Sequence, residues 1–236
     1  MNVQVNSWKS IKKLFISSGE GPFIDIFWNT LLLGSLTLPF GIQPSSLLFI
    51  IAMASGFLGM CIKRKFSLEK RNLLFLSFPF LLCIMSLSLC YRYDVGQGVK
   101  LLTRLLPFLF FPIIIMCMPM TIKNGIKVAN AFLIGVVTTF LINLIWAFYR
   151  SLSWTENFFN FNTAVKEGLS LSESIRNGGN YFFGGDFSIF VHPSYTGLYA
   201  LVIGIYVLKS TFVQKVKIIL LVLLVVYVFL LSSKAA

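Results

Sequence analysis

The sequence predicts an all-α, polytopic transmembrane helical bundle of about seven spans, and three observations carry that reading: its hydropathy, the placement of its charges and the spacing of its apolar runs. Of 236 residues, 57% are hydrophobic and 12% charged, with a mean hydropathy of +0.84, far above an ordinary water-soluble domain. A soluble fold of this size could not hide so much apolar surface. The 25 phenylalanines suit side chains that face acyl tails or fill gaps between helices. The formal charge of +12 falls between the apolar runs and makes no Lys/Arg stripe interleaved with exposed aromatics, which argues against a nucleic-acid partner.

Spanning the hydrocarbon layer takes roughly 17–25 mostly apolar helical residues. On that ruler the spans lie near 23–41, 45–62, 72–90, 103–120, 127–149, 189–208 and 214–232. The organisation is therefore an N-terminal segment 1–22, five helices over 23–149, an outer loop 150–188 and two helices in 189–236. With the N-terminus in the cytoplasm, the inner segments hold thirteen cations: Lys9, Lys12, Lys13, Lys63, Arg64, Lys65, Lys70, Arg71, Lys123, Lys127, Lys209, Lys215 and Lys217. The outer segments hold seven, Arg92, Lys100, Arg104, Arg150, Lys166, Arg176 and Lys234, among the five acids Asp94, Glu156, Glu167, Glu173 and Asp186. Positive charge is retained on the cytoplasmic side, so this asymmetry sets the orientation and accounts for the basic pI without an anionic partner.

Taken in order, Trp8, Ile11, Leu14 and Phe15 beside Lys9, Lys12 and Lys13 form an interfacial amphipathic stretch. The apolar run Leu14-Phe15-Ile16 is too short for a cleavable signal peptide. In the first span Asp25 and Asn29, four residues apart, are expected to cap or hydrogen-bond a neighbouring helix, and they supply too few oxygens for a cation site. The second span carries Ala52-x3-Gly56 and Ser55-x3-Gly59, small residues one turn apart that let backbones approach closely in lipid. Pro39, Pro107 and Pro112 lie in or near spans and predict a kink in the fourth. Asn177-Gly178-Gly179-Asn180 and Gly184-Gly185 signal turns in the outer loop, which is too short for a separate domain. The four cysteines, Cys61, Cys83, Cys90 and Cys117, lack ligand-like spacing and read as small hydrophobes; no metal or cofactor motif is present. An odd span count and a stop at Ala236 lead to the expectation of an N-terminal portion of something longer.

Polar groups in or beside spans cost free energy and invite a question about their use. In Val191-His192-Pro193-Ser194-Tyr195-Thr196-Gly197-Leu198-Tyr199, a helix starting at Pro193 makes His192 its capping neighbour and puts Tyr195 and Tyr199 on one face. An imidazole and two phenols there suit binding a phosphate or sugar or relaying a proton; they equally suit an interfacial histidine with an aromatic belt. Lys100 and Arg104, four apart at the outer entrance of the fourth span, suit phosphate recognition or snorkelling toward headgroups. Lys234 closes the last span on the same side, as a third cation or as an anchor. No residue stands out as catalytic.

These segments carry a resemblance. Val191 to Tyr199, the ending Leu230-Leu231-Ser232-Ser233-Lys234-Ala235-Ala236 and Arg104-Leu105-Leu106-Pro107-Phe108-Leu109-Phe110-Phe111-Pro112, in that span context, resemble the O-antigen ligase and O-antigen polymerase family of bacterial inner-membrane glycosyltransferases, in a Bacteroidetes-like form. The resemblance implies a GT-C-like fold, no cofactor, a place in the bacterial inner membrane, and transfer of polysaccharide from undecaprenyl pyrophosphate to lipid A-core or a growing glycan at the periplasmic face. It implies that Arg104, Lys234 and His192 contact the lipid pyrophosphate or sugar, and Lys100 and Tyr195, placed beside them by helical spacing, complete the expected substrate-binding set. Two departures stand out: the family more often has Arg where this chain has Lys234, and its later spans, with a periplasmic region holding an essential histidine and arginine, are expected beyond Ala236. The competing readings are a polysaccharide export transporter or flippase-like membrane protein, and a non-catalytic membrane subunit. A transporter places charged or broken-helix sites at the midplane, whereas the titratable groups here collect at the outer surface.

Overall fold

A computed structural model of the chain describes residues 15–63, 76–87, 107–117, 122–155, 158–166, 168–176 and 179–231, with single positions between 96 and 105. The helices are α1 (Pro22–Thr37), continued by a 3-10 turn Leu38–Phe40, α2 (Ile42–Lys63), α3 (Ser77–Leu87), α4 (Pro107–Cys117) and α5 (Ile122–Ser151). Strands β1 (Leu152–Thr155) and β2 (Phe158–Phe161), a short α6 (Leu171–Arg176) and a 3-10 turn Gly184–Asp186 follow, before α7 (Pro193–Lys209) and α8 (Gln214–Leu231). The protein is thus predominantly helical, as its apolar runs predict. Pro22–Phe40, Ile42–Ile62, Ile122–Ser151 and Gln214–Leu231 are long and apolar enough to cross a membrane. The described parts of α3 and α4 are 11 residues each, and α7 is 17. The interfacial stretch expected before Phe15 lies outside the described residues.

What places these helices in lipid is how little of them the protein covers. In α8 only 17% of the apolar window is buried; Val222, Val225 and Phe229 face outward while Leu224, Tyr227 and Leu231 face inward. A helix that is apolar all round and mostly uncovered is stable in hydrocarbon and not in water.

The chain divides into two compact units, Met1–Leu31 with Leu47–Ile126, and Leu32–Ser46 with Lys127–Ala236. In the first, Ala52, Ser55, Gly56 and Gly59 are all buried, as the small-residue spacing predicts. A Cβ on Gly56 would stand 2.7 Å from Ile114 Cγ2 and 2.9 Å from Phe27 Cδ2, so only glycine lets those side chains seat against α2. Pro112 is inside α4; Pro39, which belongs to the second unit, is buried in the turn after α1. Cys61 and Cys83 are free thiols on apolar helices.

Among the described residues, Asp25 and Asn29 bond to the strip before α1 and not to a neighbouring helix. Asp25 Oδ1 accepts from the Ser18 backbone N–H at 2.6 Å and from its hydroxyl. Asn29 accepts from Ile16 N–H at 2.7 Å and donates to Ile16 C=O at 2.9 Å. The strip just before α1 has no ladder of its own, and its backbone groups are the nearest polar partners.

In the second unit, α7 and α8 are joined by four residues and lie antiparallel. Ala200, Ile203 and Val207 of α7, Leu224, Tyr227 and Leu231 of α8, and Leu133, Val136, Phe140 and Ala147 of α5 close on Phe187 to form the core. Their three- and four-residue spacing is that of one helical face each. Gly135 of α5 lies so close to the Leu36 carbonyl that a Cβ would collide with it. Asn143, fully buried, donates to the Tyr227 hydroxyl at 3.2 Å, and its own Oδ1 has no partner among the described residues.

The stretch 150–188, expected as a loop, is built. β1 and β2 pair antiparallel with Leu152 opposite Phe161 and Thr155 opposite Phe158. Backbone bonds from Asn162 to Ser151, Val165 to Gly179 and Tyr181 to Thr163 continue the fastening. Asn180 is buried, donating to Ser174 Oγ at 2.9 Å and Thr163 Oγ1 at 3.2 Å and accepting from Phe182 N–H at 2.9 Å. Gly184, at φ 69°, opens the 3-10 turn, a conformation costly for other residues.

Candidate functional site

The helix expected from Pro193 begins there, and its cap is His192 itself. His192, with ψ 136°, is extended as a residue before proline must be, and its side chain accepts from Ser194 N–H. The accepting atom is Nδ1 at 3.4 Å, a loose bond that leaves Nε2 facing outward. The surrounding turn is fastened by hydroxyls: Ser188 Oγ donates to the Val191 carbonyl and lies 3.3 Å from Thr196 Oγ1, and Thr196 is buried. Those bonds hold a solvent-open imidazole at the helix start, where the N-terminal N–H groups favour negative charge.

Pro193, Thr196, Ala200, Ile203 and Val207 form the buried seam of α7, which settles what each tyrosine can do. Tyr195, 53% exposed, stands off the seam with its ring edge-on to His192 at 6.4 Å. Tyr199 is half-buried with its ring against Phe132 at 5.7 Å. The pair expected on one face is neighbouring there but differs in cover: Tyr195 is open beside His192, and Tyr199 packs. Among the expected site residues, Lys100, Arg104 and Lys234 lie outside the described residues; His192 and Tyr195 are brought together. No cluster of His, Cys, Asp and Glu gathers as metal ligands among the described residues.

A second polar arrangement is not singled out by the sequence. Arg150 ends α5 with its guanidinium 5.5 Å from the Trp146 ring centroid and 5.4 Å from that of Tyr181. The i, i+4 spacing of Trp146 and Arg150 is a signal the sequence does carry. The approach of Tyr181 from across the folded connection is not. Arg150 also stands in the last turn, where a cation is favoured by the helix dipole.

Further along the connection, Ser170 and Glu173 form a capping box at the start of α6. Glu173 Oε2 accepts from Ser170 Oγ at 2.7 Å and from its N–H at 3.0 Å, and Ser170 Oγ accepts from Glu173 N–H at 3.4 Å. The hydroxyl bond first, and then the backbone bond, hold the Glu173 carboxyl below its ordinary range.

No protein-family model, no curated protein and no solved structure matches the chain.

Proposed function

We propose that the chain is an O-antigen ligase-like glycosyltransferase of the bacterial inner membrane, GT-C-like in fold, with seven spans and a cytoplasmic N-terminus. It transfers polysaccharide from undecaprenyl pyrophosphate to lipid A-core or to a growing glycan at the periplasmic face. The observation that carries this reading is the open imidazole of His192 at the start of α7, with the phenol of Tyr195 beside it, at the mouth of the folded connection.

In such a reaction the acceptor hydroxyl oxygen bonds to the anomeric carbon, the bond from that carbon to the pyrophosphate breaks, and the carrier pyrophosphate leaves with the negative charge. The hydroxyl proton passes to solvent or a base. Groups that hold the leaving charge more strongly than the ground state lower the barrier. His192 donates from Nε2 to a phosphate or sugar oxygen, and Tyr195 presents a hydroxyl alongside. Arg104 suits bidentate contact with the pyrophosphate, and Lys100 and Lys234 add point charges.

The alternative of polysaccharide export draws on Asn143 of α5, whose buried carbonyl has no partner among the described residues. It carries no charge, and a transport site is expected to engage charged or broken-helix groups there. A strain lacking the gene separates the readings. The expected outcome is lipid-linked glycan that is made and displayed outside but not joined to its acceptor. Arg104→Ala and His192→Ala are expected to lower transfer by about 100-fold each, the scale of losing one charge-stabilising donor. Unchanged lipopolysaccharide and capsule profiles in the deletion strain sink the proposal, and full transfer by Arg104→Ala removes that residue from it.

A further inference from the structure

The end of α5 carries an arrangement that glycosyl transfer does not use. Between Lys127 and Arg150 stand 22 residues without a charge, about 33 Å of helix at 1.5 Å per residue, close to the ~30 Å of a bilayer's hydrocarbon. The two cations therefore bracket the apolar layer, and Arg150 stands at the depth of the lipid phosphates. The same turn holds Trp146 and Tyr149, stacked at 5.7 Å and 29° and 39% and 68% exposed, the aromatic girdle of a membrane interface.

A snorkelling arginine needs no protein partner at that depth, and Arg150 has two. Its guanidinium has the Trp146 ring in the next turn and the Tyr181 ring on the folded connection. Tyr181 is itself anchored, its N–H bonded to the Thr163 carbonyl at 2.9 Å next to buried Asn180. Among the described residues, no carboxylate, hydroxyl or carbonyl takes the guanidinium N–H groups. A planar cation placed between two rings, with its hydrogen-bonding fork unengaged among the described residues, is organised for a tetrahedral oxyanion.

We propose that Arg150, held by Trp146 and Tyr181, binds the phosphate of an anionic bilayer phospholipid as a resident lipid. The depth selects the source: a phospholipid phosphate is already at that level, and the guanidinium itself favours an anionic headgroup. Exposed rings also suit a sugar, but a sugar gives the guanidinium no charge to meet.

The test uses the full chain purified in a neutral detergent, with bound lipid counted by native mass spectrometry and phosphatidylglycerol titrated back. Wild type is expected to retain one more phosphatidylglycerol than Arg150→Gln, whose affinity at that site falls at least about tenfold, the loss of a charge-assisted hydrogen bond. Arg150→Lys, which keeps the charge without the fork, is expected to fall between them. Should Arg150→Gln fail to fold, Arg150→Lys carries the comparison. Equal retention by wild type and the variant carrying the comparison overturns the proposal. So does a site that takes a polyprenyl phosphate and not phosphatidylglycerol, which assigns Arg150 to the carrier lipid instead. The readout is lipid retention, so its failure leaves the transfer reading standing.

Discussion

At the scale of single residues, the capping box of α6 has a defined response to acid. The Glu173 carboxyl lies below its ordinary range because its charged form accepts from the Ser170 hydroxyl and N–H. A folded value below the unfolded one means stability that is complete above the unfolded value, near 4.5, and lost as pH falls through the folded value. Hydrogen exchange over 171–176 should therefore show wild-type protection shrinking between about pH 5 and about pH 3. Glu173→Gln, which caps without titrating, should stay flat. A constant ratio between the two would remove the carboxylate from the account. The residue scale is also where the sequence is least informative about the site. That His192 caps α7 follows from Pro193 and its first-turn preference. The difference between an open Tyr195 and a packed Tyr199 depends on which face of α7 meets α5, and no local spacing encodes that. Arg150 is legible as a cation at a helix end, and its second ring is not.

Among elements, the tight packing of helices rests on glycines that look alike in the sequence and differ in surroundings. Gly135 and Gly125 both belong to α5, yet a Cβ at Gly135 meets the Leu36 backbone carbonyl while one at Gly125 meets nothing within 4 Å. Gly135→Ala is expected to destabilise by about 1–3 kcal/mol, because backbone cannot swing aside as a side chain does. Gly125→Ala is expected to be neutral or to stabilise by up to about 1 kcal/mol through helix propensity. Thermal unfolding in detergent measures both, and equal shifts in one direction would contradict the packing of Leu36 on α5. Helices inside all seven apolar runs were legible from hydropathy, and the close packing of α2 from Ala52, Ser55, Gly56 and Gly59. The β1–β2 hairpin and α6 were not: their turn signals are evident, but what orders the stretch is the buried Asn180 gathering Thr163, Ser174 and Phe182. Those are contacts across sequence that periodicity does not register.

For the whole molecule, sidedness is the property most open to a direct check. The proposed topology of seven spans and a cytoplasmic N-terminus puts the α5–α7 connection outside and the α7–α8 connection inside. In a background lacking the native cysteines, Ser172→Cys is expected to react with an impermeant maleimide on intact cells, and Thr211→Cys only after lysis. Both positions are exposed, so burial does not confound the result, and the reverse pattern would invert the orientation. The buried pairing of Asn143 with Tyr227 adds an order in time. The two residues are 84 positions apart, so at roughly 5–20 residues per second of synthesis the amide emerges about 4–17 s before its partner exists. During that interval α5 carries a polar group whose companion is still being translated. Final seating of α5 therefore awaits the synthesis of α8, which brings the partner for an amide made 84 residues earlier.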